Sequence, residues 1–357
     1  MKLSAPFRNL LCAVLTCGAA EAVRAQAVLT TDVNGFASDV RNYNLVSLGN
    51  ATFTGSSDTQ GGIAVGGNLS IAGGWTIGST YSDDPNPELY LNSTGTLTMG
   101  GTVDLNTGFA SIASATTANG WTFNDPNAND LHGGGGDLNV NSSDPKASID
   151  PDANAGPTGW NWTTETSGLK SISSSLSTQT ATGTIAVNSQ NLDFTSTATS
   201  GVVVFDLNAA QLSGGSYNGN SFDNISISVP TGVDYVINVL NLCDGQTLFG
   251  SGANFNSGTN DDQLLWNFVD TGSAIGVTVS DGGNFYGSVL APNVNITDNT
   301  TIDGQVAAAS FTDSGVEMHD LSFDSVVEPE APTFALCAVA LCGGMVLVCR
   351  RFRLARS

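Results

Sequence analysis

Residues 61–79 read GGIAVGGNLSIAGGWTIGS, three apolar pairs that each end on glycine: Ile63 with Val65, Leu69 with Ile71, Trp75 with Ile77. No other feature restricts the fold as much. Alternation with period two puts each pair on one face of an extended segment. The glycines cut each segment short, before a helix could gain enough hydrogen bonds to offset its nucleation, and they suit tight corners where backbones approach closely or φ turns positive. Similar runs recur as LTMGGTVDL (97–105), GVVVFDL (201–207), ISISV (225–229), DYVINVLNL (234–242), AIGVTV (274–279), FYGSVLAPNVNI (285–296) and TIDGQVAAASF (301–311). Short strands at close spacing, separated by turn residues, describe an all-β sandwich or a β-solenoid. The repeat has no clean period, so spacing alone does not separate the two.

Two segments depart from this pattern. Residues 80–160 carry DDPNP, NDPNAND, HGGGGD and DPDANAGP and read as a loop-rich insertion. After them, SGLKSISSSLSTQ sets Leu169, Ile172 and Leu176 at i, i+3 and i+7, which predicts one short helix packed against the β body.

The ends read as addresses. Lys2 and Arg8 precede the uncharged stretch 9–20, and small residues follow at Val23, Ala25 and Ala27, the order of a secretory signal over residues 1–25. At the other end, residues 331–349 are uncharged over 19 positions, about 28 Å as a helix, against roughly 30 Å of bilayer hydrocarbon. Arg350, Arg351, Arg353 and Arg356 follow, which predicts a span with its tail cytoplasmic and the body outside. The body, residues 26–327, holds three basic residues (Arg41, Lys146, Lys170) against 29 acidic ones, a net charge of −26. Such a surface repels phosphate backbones, so nucleic acid is excluded as a partner. Of six cysteines only Cys243 lies in the body, which leaves no intramolecular disulfide there; it reads as a small buried apolar residue.

Two family resemblances follow from these residues. The sequence Pro329-Glu330-Ala331-Pro332, the apolar stretch and the arginine cluster together resemble the PEP-CTERM sorting signal of exported bacterial surface proteins, whose own motif is Pro-Glu-Pro. That resemblance implies an exosortase-type sorting enzyme as a partner and a membrane anchor over 328–357. NYNLVSLGNATFTGSSDTQGGIAVGGNLSI (42–71), with Gly66, Gly67 and Asn68, resembles the opening of the choice-of-anchor A family. Its closing block is matched at Asn267 and Phe268, at Ala291, Pro292 and Asn293 within GSVLAPN, at Gly304 and Gln305, and at Glu317 with His319. The resemblance implies an exported adhesive or matrix-forming domain over 26–327. The closing strands also look like those of ice-binding β-helices, which favours a solenoid over a sandwich.

Chemistry is sparse. His132 and His319 are the only histidines, so a Ser-His-Asp or Cys-His arrangement has few ways to form. Glu317 and His319 share a strand face and read as a satisfied pair closing the domain rather than as metal ligands. Asp150, Asp152 and Asn154 match the first three ligand positions of a calcium loop, but Gly156 comes one place late and Asn161 stands where Glu is needed, so Ca²⁺ is only faintly signalled and no cofactor is expected. The carboxylate pairs Asp83-Asp84 and Asp261-Asp262 are too close in sequence to form a glycosidase dyad on a strand. Thr-rich runs such as TFTG (52–55) and TLTM (96–99) raise ice binding, yet no sustained Thr-x-Thr series runs along the chain.

The sequence therefore predicts an all-β chain, a β-solenoid with one packed α-helix, carrying an N-terminal signal and a C-terminal transmembrane helix. The function expected is that of an exported, envelope-attached, non-enzymatic surface protein, adhesive or matrix-forming, whose partner is an extracellular polysaccharide or matrix protein. An ice- or glycan-binding β-helix is the alternative, and a polysaccharide-active enzyme stands third.

Overall fold

The computed structural model of the chain describes residues 25–40, 43–79, 87–106, 108–112, 122–123, 130–133, 136–140, 148–150, 157, 159–212, 215–250, 254–257, 260–270, 272, 274–280 and 283–326. The segment expected to be a sorting signal, with Pro329, Glu330, Arg350 and Arg351, lies outside them, as does all but Ala25 of the expected signal over 1–25. Among the described residues no helix is long and apolar enough to cross a membrane. Residues Met1–Thr31 and Glu328–Ser357 group as one unit and Asp32–Val327 as another. Of the first, residues 25–31 are described and helical.

In the Asp32–Val327 unit the glycine-separated pairs become the rungs of a parallel β-solenoid. One coil holds the strands Tyr43–Ser47, Ala51–Phe53 and Ser57–Thr59. The next holds Gly62–Val65, Leu69–Ile71 and Trp75–Ile77. They stack in register, with Leu45 beside Ile63, Ala51 beside Leu69 and Ser57 beside Trp75. Every second side chain points inward, so like meets like down the stack: Leu89, Ile63, Leu45, Val306, Val289, Trp266, Ile237 and Phe205 form one continuous interior row. All are buried in the core. At about 1.5–3 kcal/mol for each fully buried large apolar side chain, rows of this kind are the main stabilising term.

The chain does not wind from one end to the other. Tyr43–Ser47 starts in the middle of the stack, between Gly62–Val65 and Val306–Asp313. From there the chain moves outward through Leu89–Leu91 and Phe109–Ser111 to Ser148–Asp150. It re-enters at the opposite end with Gly201–Asn208 and returns through Val233–Leu240, Leu264–Phe268 and Ser288–Asp298 until Val306–Asp313 closes against the first strand. Buried amides fasten this closure. Asn44 Nδ2 donates to the carbonyl of His319 at 2.8 Å, and Gln305 Nε2 donates to that of Tyr43 at 3.1 Å.

Among the described residues two α-helices are present, not one. Helix α1 covers residues 25–40 and helix α2 spans Trp162–Ser177. The α2 prediction is met: Leu169, Ile172 and Leu176 are buried, and α2 packs on Val233–Leu240, Leu264–Phe268 and Ser288–Asp298. Its first turn is capped by Asn161, whose side chain accepts from the N–H groups of Thr163 and Thr164. In α1, Val33, Phe36 and Val40 are buried at helical spacing, and Phe36 meets Phe323 edge-on at 5.7 Å. The helices approach closely at Gly35, where a Cβ would stand 3.1 Å from Ile172 Cδ1, and at Gly168, where it would stand 2.7 Å from Asp39 Oδ2. The sequence hides α1 because its apolar stripe runs straight on from the leader and is broken by Asn34-Gly35.

The stretch expected as a loop-rich insertion carries part of the stack. Leu97–Met99 pairs with Leu69–Ile71, Thr102–Leu105 with Trp75–Ile77, and Gly136–Val140 with Thr102–Leu105. Residues 80–86, 113–121, 124–129, 141–147 and 151–156 between these strands lie outside the described residues.

Candidate functional site

One face of the solenoid is built from Leu97–Met99, Leu69–Ile71, Ala51–Phe53, the second halves of Val306–Asp313 and Ser288–Asp298, Ile275–Ser280 and Gln246–Phe249. Its inward residues are apolar, among them Leu97, Leu69, Ala51, Phe311, Ile296 and Val277. The outward residue between them is a hydroxyl on every coil. Thr98 pairs with Ser70, Ser70 with Thr52, Thr52 with Thr312, Thr312 with Thr297, Thr297 with Thr278, and Thr278 with Thr247. Seven hydroxyl side chains therefore stand in one line across the strands, spaced by the roughly 4.8 Å between neighbouring strands, about 29 Å in all. Each is exposed or half-exposed.

The chemistry of this line is unusual within the molecule. Several hydroxyls elsewhere have partners: Ser173 donates to Asn267 Oδ1 at 2.6 Å, Thr54 to the Asp313 carbonyl at 2.9 Å and Ser325 to Asp234 at 2.6 Å. None of the seven ladder hydroxyls hydrogen-bonds to any described residue. β-Branched threonine has a restricted χ1, which narrows the orientations open to the six threonine hydroxyls before anything binds. The flanking outward positions are small and neutral too, with Thr54, Ala72, Gly100 and Ser314 on one side and Asn50, Asn68, Thr96, Ser310 and Asn295 on the other. On a body with a net charge of −26, an uncharged strip of this size departs from the average surface. Asp298 and Asp313 belong to these strands but turn inward and are fully buried. Burial pushes the Asp313 carboxyl up to about 6, even though it accepts N–H bonds from Gly315 and Val316.

The residues singled out in the sequence take other positions. Gly66 lies under Trp162, 3.0 Å from where its Cβ would be, and a Cβ on Gly67 would meet Asn50 Oδ1 at 2.5 Å; both let coils and helix close up. Asn68 sits beside the ladder and accepts from the Thr96 N–H and hydroxyl at 3.0 and 2.8 Å. Asn267 is buried beneath α2, where it donates to the carbonyl of Ser173 and to Asn238 Oδ1, and Phe268 is core. Ala291, Pro292 and Asn293 form the corner where the long strand turns between faces, at its register irregularity, with Asn293 Nδ2 donating to the Asp270 carbonyl. A Cβ on Gly304 would meet the Gly287 carbonyl oxygen at 2.5 Å, and Gln305 fastens the closure, accepting from the N–H of Phe323.

His319 lies between two carboxylates, with Nδ1 against Asp303 and Nε2 3.0 Å from Glu317. Burial works against its charged form, but the hydrogen bond to Glu317 and the Asp303 carboxylate outweigh burial and raise its pKa. Among the described residues, no group of three His, Cys, Asp or Glu is placed to hold a metal ion. Asp150 ends a strand, while Asp152 and Asn154 of the calcium-loop match lie outside the described residues. Asp261-Asp262 falls in a 3₁₀ turn, not a strand. Cys243 is exposed rather than buried, since it occupies the turn before Gln246–Phe249 instead of a rung.

The ladder is what sequence reasoning missed. Threonine and serine along the chain were the available signal, but the series runs across coils and not along them.

A family model described as "Putative Ice-binding-like adhesive domain" matches residues 36–320. No curated protein matches the chain. Similar solved structures include an ice-binding protein from an Arctic yeast, at 10% identity over 79% of this chain and 92% of that one with a TM-score of 0.33. The ice-binding domain of ice-binding protein 1 from Shewanella frigidimarina is 12% identical over 80% of this chain and 96% of that one, with a TM-score of 0.34. An ice-binding protein from the Antarctic ascomycete Antarctomyces psychrotrophicus is 12% identical over 80% and 97%, with a TM-score of 0.33.

Proposed function

The chain belongs to the family of ice-binding-like adhesive domains, and from that premise we propose that it is an exported surface adhesive that docks through its hydroxyl ladder onto a flat, uncharged array of oxygens. Ice and packed sugar chains are the two surfaces of that kind. The observation that carries the reading is the line of seven hydroxyls, from Thr98 to Thr247, with no partner within the described protein. A single hydroxyl contact in water contributes only about 0.5–1.5 kcal/mol. A rigid row of them shares one loss of translational and rotational freedom, so their contributions combine instead of each being cancelled. The docking face needs no bond-breaking step, and the reading is of a binding protein.

The ends give the setting. The signal over 1–25 would export the chain, and the segment 328–357, read by an exosortase-type enzyme, would hold it to the envelope, with the acidic body keeping it soluble outside. The test places one bulky cation in the ladder. Wild-type protein should adsorb to polycrystalline ice or to microcrystalline cellulose, and Thr297→Lys should lose that adsorption with an unchanged melting temperature. A Thr297→Lys variant that adsorbs like wild type to both would sink the proposal.

A further inference from the structure

Beside the ladder runs a second line of side chains with a different chemistry. Asn50 Oδ1 accepts from the backbone N–H of Asn68 at 2.8 Å, and Asn68 Oδ1 accepts from the backbone N–H of Thr96 at 3.0 Å and from its hydroxyl at 2.8 Å. A backbone N–H can only donate, so it fixes which end of each amide faces the neighbouring coil. The carbonyl oxygens are consumed within the protein. The Nδ2 groups of Asn50 and Asn68, on exposed side chains, have no acceptor among the described residues. Past the closure the line continues as Ser310 and Asn295, joined hydroxyl to amide at 2.7 Å. The strip thus has two unlike rails about 7 Å apart, two residues along a strand. One rail presents hydroxyls that donate and accept; the other presents amide donors at Asn68, Asn50 and Asn295, with the Thr96 and Ser310 hydroxyls spent on Asn68 and Asn295.

We propose that the partner laid on this strip is a neutral, extended, β-linked polysaccharide running down the stack with one ring per coil, an inference that rests on the docking reading above. A pyranose chain has two kinds of oxygen, hydroxyls that do both and ring or glycosidic oxygens that only accept. Both kinds find partners on the strip, the acceptor-only oxygens at the amide donors and the hydroxyls along the ladder, and the coil step of about 4.8 Å is close to the advance of an extended β-linked chain per ring. Ice offers the same water oxygens to both rails, so nothing in it calls for the rails to differ. Neutrality follows from the −26 body, which would repel an acidic glycan. No aromatic ring lies in the ladder or the amide rail, so each ring of the glycan gains only hydrogen bonds, and affinity must accumulate with chain length.

The probes are cello-oligosaccharides of increasing length, by calorimetry, and microcrystalline cellulose, with ice adsorption measured in parallel. Affinity should climb with length until the oligomer spans the ladder. Asn50→Asp with Asn68→Asp keeps the oxygens that accept the backbone N–H groups and replaces only the outward donors, and should weaken cellulose binding about tenfold or more while leaving the melting temperature unchanged. Ala72→Asp, on the opposite flank, adds the same charge as Asn68→Asp alone without removing a donor and should cost much less than that single variant. If the double Asn variant binds cellulose as wild type does while Thr297→Lys does not, the donor rail is overturned and the docking reading stands. If wild type adsorbs to ice but binds no cello-oligosaccharide, the polysaccharide is overturned and ice remains. If Thr297→Lys changes neither adsorption, the docking reading itself has failed.

Discussion

Two outward-facing rows of the same parallel sheet meet opposite fates. Asp206, Asn238, Asn267, Leu290, Ala307, Val46, Ala64 and Tyr90 form one row; Thr247 to Thr98 form the other. The first row carries the helices. Its middle members are apolar, and its amides are fully engaged, Asn238 with Asp206 and the Leu176 carbonyl, Asn267 with Asn238 and Ser173. The second row is exposed or half-exposed, and its hydroxyls hydrogen-bond to no described residue. Whether the polar groups of a row are satisfied by the protein therefore tells which row is covered and which is meant to touch something else.

The comparison can be broken at several points. The largest effect should come from beneath the helix: Leu176→Ala removes a fully buried anchor of α2 and should cost about 3 kcal/mol with a residual cavity, read as a shift in chemical denaturation midpoint. The inward row supplies a pH test of similar size. Asp313 is held neutral in the fold up to about pH 6, whereas in the unfolded chain it ionises near 3.8. The folded state therefore holds the proton more tightly. Its contribution, at most about 3 kcal/mol, is complete below pH 4 and is lost as pH rises through 6. Asp313→Asn should flatten that part of the stability profile, and an unchanged profile would show that the carboxyl is not buried neutral. Asn267→Ala strands Ser173 Oγ and Asn238 Oδ1 and should cost about 2 kcal/mol. Thr278→Val, by contrast, should leave stability within about 0.5 kcal/mol and yet weaken adsorption. If the two polar substitutions cost the same stability, the distinction between covered and open rows is void. A small effect belongs to His319. Its raised pKa adds a little stability that is present below about 6.5 and fades as pH rises through the folded value, and its partial exposure limits this to under about 1 kcal/mol; His319→Gln should remove it.

How much was legible follows the same division. Interior rungs such as Ile63 and Val65 announce themselves by alternation, and α2 by Leu169, Ile172 and Leu176, because those signals are local. The ladder is not local. Thr52 and Thr312 are neighbours in space and lie at opposite ends of the chain, and no spacing rule links Thr247, Thr278 and Thr297, since the loops between coils differ in length. Asn68 stood out as part of a glycine-rich step, but its amide orientation depends on Thr96 of the next coil. Cys243 was misread because composition reports what a residue type usually does, while a turn decides where this one points.

The closure in the middle of the stack has a consequence for how the molecule is made. Residues 51–98 are made first and bring three of the hydroxyls, Thr52, Ser70 and Thr98; the other four, from Thr247 to Thr312, follow about 150 residues or more later. Until Val306–Asp313 seats against Tyr43–Ser47 and Ala51–Phe53, the early coils carry an unpaired strand edge, and contacts of this sequence separation form slowly. A chain cut short or misfolded near its C-terminus would then show two short stubs in place of one strip of seven. Adhesion by a summed row of weak contacts falls off steeply when the row is halved, so under the proposed docking role binding would depend on this closure being made.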